Sequence, residues 1–459
     1  MKKSLVIFVV IVIFLYACLA SIGLFFAQKE TRLLSKNTLP QNSAGFEELM
    51  KKIKRIKLDV FLSRPFLKLN TNWQNKLSML DKIDQYEPLA RELLGTNSEK
   101  SFLVVMQNNT ELRPTGGIWG SYGILKMNNG KISSFKTDDT FYLDQQNIGK
   151  FDPPADIKDI IDDEWRFWNA NWSPDFKNSV EQGLLFFKQV DPNITFDGVL
   201  GPNVDYLLSL LNISGPVELA NHSFKLDQDN FLEKMIYEPT TLAAFESRKK
   251  YMSPENIIIP QEKNLVLSTI GKEIIDQISS QKKEGQLVRA TYDALKNQNL
   301  VLYLQKPDMQ IKVEQLGWGG RMPKSGNFAM IVDANFGSKL DFVVNKEASI
   351  EQIAPNKYKM TLKYKNEYDP LSKSQFFPNY RDFIRVFVPN GSTQIEQTGG
   401  EKISKMQKDN SDSLSYMSSM IVLEPGDQSN LSFVWEVPEN VAKDNLSILK
   451  QPGSRININ

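Results

Sequence analysis

Cysteine and histidine are almost absent from this 459-residue chain: Cys18 and His222 are the only ones. A lone cysteine rules out an intramolecular disulfide and a multi-cysteine metal site. A lone histidine argues against a multi-histidine zinc site or a Ser-His-Asp triad. Beside Asn221, His222 reads as an ordinary loop residue. No Gly-x-Ser-x-Gly or His-Glu-x-x-His segment occurs, which leaves a secreted hydrolase without support. An excess of one charge is missing too: 55 Lys and Arg against 54 Asp and Glu give a formal net charge of +1. No chain-wide basic field therefore exists to attract nucleic acid. No internal repeat is visible. What is present is ordinary globular composition, 41% hydrophobic and 24% charged, in a chain long enough for domains of about 150 residues each.

One long apolar run stands out. Leu5 to Phe26 carries no charge and as a helix would span roughly 33 Å, against a hydrocarbon core of about 30 Å. A cleaved signal peptide competes, because Ala17-Cys18-Leu19-Ala20 offers small residues, yet the apolar run continues beyond Ala20. A lipobox ending at Cys18 would need to tolerate Tyr16. The expectation is an uncleaved anchor over residues 1–27. Lys2 and Lys3 are balanced by Lys29, Arg32 and Lys36, so charge alone does not orient it. The very short N-terminal flank favours placing the bulk outside the cytoplasm.

Residues 28–100 read as a helical juxtamembrane stalk. Phe46, Leu49, Met50, Ile53, Ile56 and Val60 recur at helical spacing, with lysines and Arg55 on the other faces. The basic faces suit either anionic headgroups or plain solvent. Trp73, Leu77, Leu80 and Ile83 mark a second helix, and Gly95 a C-cap.

The most informative stretch follows. Phe102 to Met106 is a short apolar run suited to a buried strand. It delivers Gln107, Asn108, Asn109, Thr110, Glu111 and Arg113 to one edge of a sheet, where open α/β sheets bind ligands. Pro114 fixes a turn, and Gly116-Gly117 permits positive φ or a close approach. Trp119–Met127 and Lys131–Thr137 then form a hairpin around Asn128-Asn129-Gly130 and end in Asp138-Asp139.

Farther on, the acidic segment Asp152–Glu164 matches no calcium loop and reads as a helix start after Pro153-Pro154. Asn171 and Asp175 lie in a polar loop, where Asp175 can contact a ligand or cap the helix carrying Leu184 and Phe187. Trp165, Trp168 and Trp172 can form a sugar-stacking platform or serve as core anchors. A strand at Val199-Leu200, a helix at Tyr206–Leu211 and the turn Gly215-Pro216 follow. Glycine-rich turns bracket a strand at Phe328–Val332. Structurally they close the α/β domain; functionally, Arg321, Lys324 and Lys339 can add positive charge to a site. From residue 342 the alternation at Tyr358–Tyr364, with strands at Phe383–Val388, Ser419–Leu423 and Leu431–Val437, indicates an all-β sandwich.

The segment Asn108 to Gly117, with Gly120-Ser121-Tyr122-Gly123 behind it, resembles the bacterial membrane-anchored domain-of-unknown-function 4012 family. More distantly, the order of elements over Ser101–Leu304 resembles the LytR–CpsA–Psr family of cell-wall glycopolymer transferases. That resemblance implies an α/β domain at 101–341, with a mixed sheet flanked by helices, before the β-sandwich that alternation places at 342–459. It also implies a polyprenyl-diphosphate-linked glycan as partner, with Mg2+ as cofactor. Asp138 and Asp139 would hold the metal, Arg113 a phosphate, and Glu111 would orient Arg113 or act as base. Asn108, Asn109, Gly116, Gly117, Asn171, Asp175 and Arg321 would complete the ligand site, the glycine amides as an anion nest. The chain departs from that family where Thr137 or Asp138 replaces an expected arginine, and again around Gln261 and Lys263. Bidentate guanidinium contacts to a diphosphate are hard to replace. Two functions stay open: a metal-dependent envelope phosphotransferase, or a non-catalytic envelope binding or scaffold protein. In the second, a buried Glu111–Arg113 or Asp–Arg pair merely fixes the loop.

Overall fold

The computed structural model describes residues 44, 47, 48, 50–55, 86–147, 151–161, 163–218, 224–237, 261–369, 378–408 and 414–459, with backbone alone at 261–268, 284, 402–405 and 408. The expected anchor with Cys18, the Trp73, Leu77, Leu80 and Ile83 part of the second stalk helix, and His222 lie outside the described residues. Among the described residues no helix is long and apolar enough to cross a membrane.

Two compact units divide the chain: 1–101 with 125–134, and 102–124 with 135–459. In the first, 50–55 is helical with Met50 buried, and a helical stretch at 86–94 stops at Gly95. The carbonyls of Leu94 and Gly95 accept from Gly130 and Asn129. Those two residues have φ of +77° and +52°, the left-handed pair that a two-residue hairpin turn demands.

The second unit is built on three larger sheets. The first follows the order β3-β2-β1-β4-β7, comprising β1 (Lys100–Asn108), β2 (Ile118–Asn128), β3 (Lys131–Asp139), β4 (Gly198–Pro202) and β7 (Leu300–Leu304). A short ribbon, β5 (Val217–Glu218) with β6 (Lys225–Leu226), intervenes. β1 and β4 run parallel, while β4 and β7 run antiparallel, so this sheet is mixed. The helix Phe176–Val190 covers it, burying Phe176, Val180, Phe186 and Phe187 against Val105, Trp119 and Val199. Gly183 makes this approach possible, since a Cβ there would meet the Trp119 ring at 2.8 Å. Helices Val204–Ser214, Gln261–Ser280 and Glu284–Lys296 share a separate apolar cluster around Leu211, Ile270 and Ile274.

A sandwich of two five-stranded sheets follows. One sheet holds β9 (Val344–Ala354), β10 (Lys357–Asn366), β12 (Thr393–Thr398), β15 (Gln428–Glu436) and β17 (Asn457–Ile458). The other holds β8 (Phe328–Asn335), β11 (Tyr380–Val388), β13 (Lys402–Lys408), β14 (Ser415–Leu423) and β16 (Ser447–Lys450). Ile331, Ile384, Tyr364, Phe433 and Trp435 fill the core between them.

One strand departs from its expected place. Phe328–Val332, expected to close the α/β domain, lies in the sandwich, pairing antiparallel with β11 and parallel with β16. The reason is burial on two faces. Residues of one parity, such as Ile331 and Ile384, enter the sandwich core. Those of the other, Ala334 and Phe383, meet Ile157 and Trp172 of the α/β part. A strand buried on both faces shows a continuous apolar run, and such a run does not reveal which sheet owns it.

Candidate functional site

The signature stretch sits beyond the carboxyl end of β1, as expected, but it does not face solvent. Every residue from Asn109 to Gly117 is buried. Gln107 is held at the start: its Oε1 accepts from Thr115 Oγ1 at 2.7 Å and Trp119 Nε1 at 3.2 Å, and its Nε2 donates to the Gly201 carbonyl. Asn108, half-buried, accepts from the Thr110 hydroxyl at 2.7 Å. Asn109 Nδ2 donates to Asp205 at 2.7 Å and to the Gly453 carbonyl at 3.1 Å, while its Oδ1 accepts from Val204 N–H. Gly117 has φ of +140°, and a Cβ there would lie 2.4 Å from the Asn108 carbonyl carbon. The glycines do permit close approach, but what approaches is the same chain. Around Gly116 these neighbours are Gln107 and Pro452.

Arg113 is the centre of the arrangement and is 1% exposed. Its Nε donates to Asn169 Oδ1 at 3.0 Å, and its Nη2 donates to Glu111 Oε1 at 3.3 Å. Nη1 donates to the Leu112 and Asn335 carbonyls. The guanidinium also lies over the rings of Phe336 and Trp168, at 5.3 and 5.9 Å. Burial lowers its pKa, and Glu111, Asp341 and Asp382 oppose that shift. An arginine remains charged throughout. Glu111 receives a second cation, Lys339 Nζ at 3.7 Å.

The partners of this loop come from the sandwich. Leu112 N–H donates to Asp341 Oδ2 at 2.8 Å. Leu112 and Thr110 carbonyls accept from the N–H groups of Asn335 and Asp341, each at 3.0 Å. Gln451 Nε2 bridges the Arg113 and Asp333 carbonyls at 3.0 and 2.9 Å. Behind them, Lys346 Nζ, 3% exposed as a residue, lies 2.8 Å from Asp333 and 2.5 Å from Asp341. Burial works against the ammonium, yet Asp333, Asp341 and Asp382 outweigh it and hold Lys346 above the ordinary lysine range.

The other expected site residues are placed elsewhere. Asn171 is buried and donates to Thr115 Oγ1 and the Gly117 carbonyl, both at 2.9 Å. Asp175 caps the helix Phe176–Val190 through Lys177 and Asn178 N–H, and also accepts from Arg321 Nε at 2.7 Å. Arg321 pairs in addition with Glu314 at 2.6 Å. Asp139 caps the helix Thr140–Gln145, accepting from Phe141 N–H at 2.9 Å, while Asp138 accepts from the N–H of Asp139. Burial first, then these two carboxylates, push the Tyr122 phenol up to about 12. Among the described residues no three His, Cys, Asp or Glu side chains cluster to hold a metal. Trp172 is an anchor rather than a sugar platform: it stacks on Phe383 at 6.0 Å and 7°, with Arg385 at 4.5 Å over its ring.

Asp341, Lys346, Asp382 and Tyr380 were not singled out by the sequence, and neither Asp333 nor Tyr364 was given a part in a buried cluster. Their signal was a charge at an inward position: Asp333 shares parity with Ile331, Lys346 with Val344, and Asp382 with Ile384. Asp144 went unmarked as well. It is buried, accepts from Phe167 and Trp168 N–H, and burial raises its carboxyl to about 7 despite those bonds. A pKa raised on folding gives stability that is full below about pH 4 and lost as pH climbs toward the folded value. Asp144→Asn should therefore flatten the fall in melting temperature between about pH 4 and pH 7. Thermal unfolding at both ends of that window checks it.

A family model described as a protein of unknown function (DUF4012) matches residues 97–239. No curated protein matches the chain. A solved structure, the Lin1025 protein from Listeria innocua, aligns with 48% of this chain and 80% of its own, at 10% identity and a TM-score of 0.23. So low a score carries no argument. Residues 97–239, which enclose the stretch Asn108–Gly117, thus carry the domain of the unknown-function family that this stretch resembles.

Proposed function

We propose that this chain is a membrane-anchored, extracytoplasmic envelope protein whose α/β part serves as a non-catalytic binding or scaffold module. The signature stretch acts in it as the joint that fixes the sandwich to the mixed sheet. One observation carries the reading: Arg113, the residue best suited to a phosphate, is fully buried and spends its donors on Glu111, Leu112, Asn169 and Asn335. A guanidinium that must clamp a diphosphate has to reach it, and a planar fork already satisfied by protein oxygens has little left to offer. The anchor itself rests on the uncharged run Leu5–Phe26.

Calorimetric titration of the detergent-solubilised full chain with a polyprenyl diphosphate, with and without magnesium, tests this. The expected result is no magnesium-dependent saturable heat. Saturable, magnesium-dependent binding that Asp138→Asn abolishes without unfolding the protein would overturn the reading and restore the phosphotransferase.

A further inference from the structure

Tyr380 Oη lies 2.8 Å from Asp382 Oδ2 and 3.0 Å from Asp341 Oδ1. A phenol has one proton and cannot donate along both lines. Counting donors decides which contact it serves. Asp341 already accepts from Lys346, Leu112 N–H and Asn335 Nδ2, donors that meet the lone pairs of both its oxygens. Asp333 likewise accepts from Lys346 and from Tyr364 Oη at 2.8 Å. Among the described residues Asp382 has no such donors: Tyr380 is its hydrogen-bonded neighbour through Oδ2, and its Oδ1 is buried without a hydrogen-bond partner. A bare carboxylate oxygen in a buried core is costly, whereas a carboxylic acid's carbonyl tolerates that place.

We infer that Asp382 is a proton-binding site: it is held as the neutral acid, donating to Tyr380 Oη, which donates in turn to Asp341. Folding therefore takes up one proton from solvent. The groups facing Asp382 are consistent with this from every side. Asp333 on β8 and Asp341 before β9 repel a further negative charge, and Lys346 on β9 is shared between them. Tyr364 on β10 serves Asp333. Arg113 from the signature loop is paired with Glu111. Burial, then Asp333, raise the Asp382 carboxyl well above its ordinary value, with Lys346 opposing. Because Asp341 also holds Leu112 N–H, the proton stabilises the joint between sandwich and signature loop, whatever that joint serves.

The sign follows from the raised value. This contribution is full below about pH 4, and each pH unit from there toward the folded value lowers the folding equilibrium constant about tenfold. Asp144 titrates near neutrality, so the test is set above it. Infrared spectroscopy of the full chain at about pH 8.5 should show a protonated-carboxyl C=O band, and Asp382→Asn, whose amide can still donate to Tyr380, should remove it. The same substitution should reduce the pH slope of unfolding by one proton. Absence of that band from the native protein overturns the inference and needs no variant to fold; its persistence in Asp382→Asn does so as well.

Discussion

Replacing Arg113 with alanine should destabilise the folded chain by about 3–5 kcal/mol, the usual cost of removing one partner from a buried ion pair. The loss is of that size because several groups are stranded together. Glu111 loses its closest cation and, among the described residues, keeps only Lys339 at 3.7 Å, while Asn169 Oδ1 and the Asn335 carbonyl lose a donor. A cavity opens between the rings of Phe336 and Trp168. Arg113→Lys should recover only part of the loss, since an ammonium cannot reproduce the planar fork. Chemical denaturation monitored by tryptophan fluorescence gives both values. A ligand-clamping arginine would behave otherwise, because its removal leaves stability nearly unchanged or improves it.

Lys346→Met should cost as much, about 3–5 kcal/mol, and is the severest single change expected within the sandwich. Methionine is one atom shorter than lysine and uncharged, and it leaves Asp333 and Asp341 facing each other in a buried core without their shared cation. Such a pair lowers its energy by taking up a proton, as like charges in one site do. The variant should therefore be much less unstable at about pH 5 than at about pH 8. Combining it with Asp333→Asn should restore a large part of the loss, because one buried charge is then removed with its partner. The two changes touch the same hydrogen-bonded group and will not add. Equilibrium denaturation of the single and double variants at the two pH values checks both statements.

Much of the local structure was legible. Asn129-Gly130 announced the hairpin, Asp175 announced its helix, and the apolar run at Phe102–Met106 announced β1. Each depends on neighbours within a few residues, where turn chemistry and periodicity act. The burial of the signature stretch was not legible, because its covering groups come from far along the chain. Asn335, Asp341 and Gln451 follow Leu112 and Arg113 by more than 200 positions. A polar run after a strand has the same composition whether it waits for a ligand or is consumed by another part of the fold. Gly116 and Gly117 show the same ambiguity, since a demand for close approach does not name what approaches. Charged residues at inward positions of β8, β9 and β11 held the missing information. They become readable only when two sheets are known to face each other.

Native-state hydrogen exchange at the Leu112 amide tests the central claim most directly. That N–H donates to Asp341 Oδ2 at 2.8 Å inside the junction. If the signature stretch is a structural joint, its amide should exchange only through the global opening that also exposes the amides of β11, with the same free energy. Exchange of Leu112 through a local opening, orders of magnitude faster while β11 stays protected, is the behaviour of a ligand loop and would contradict the joint.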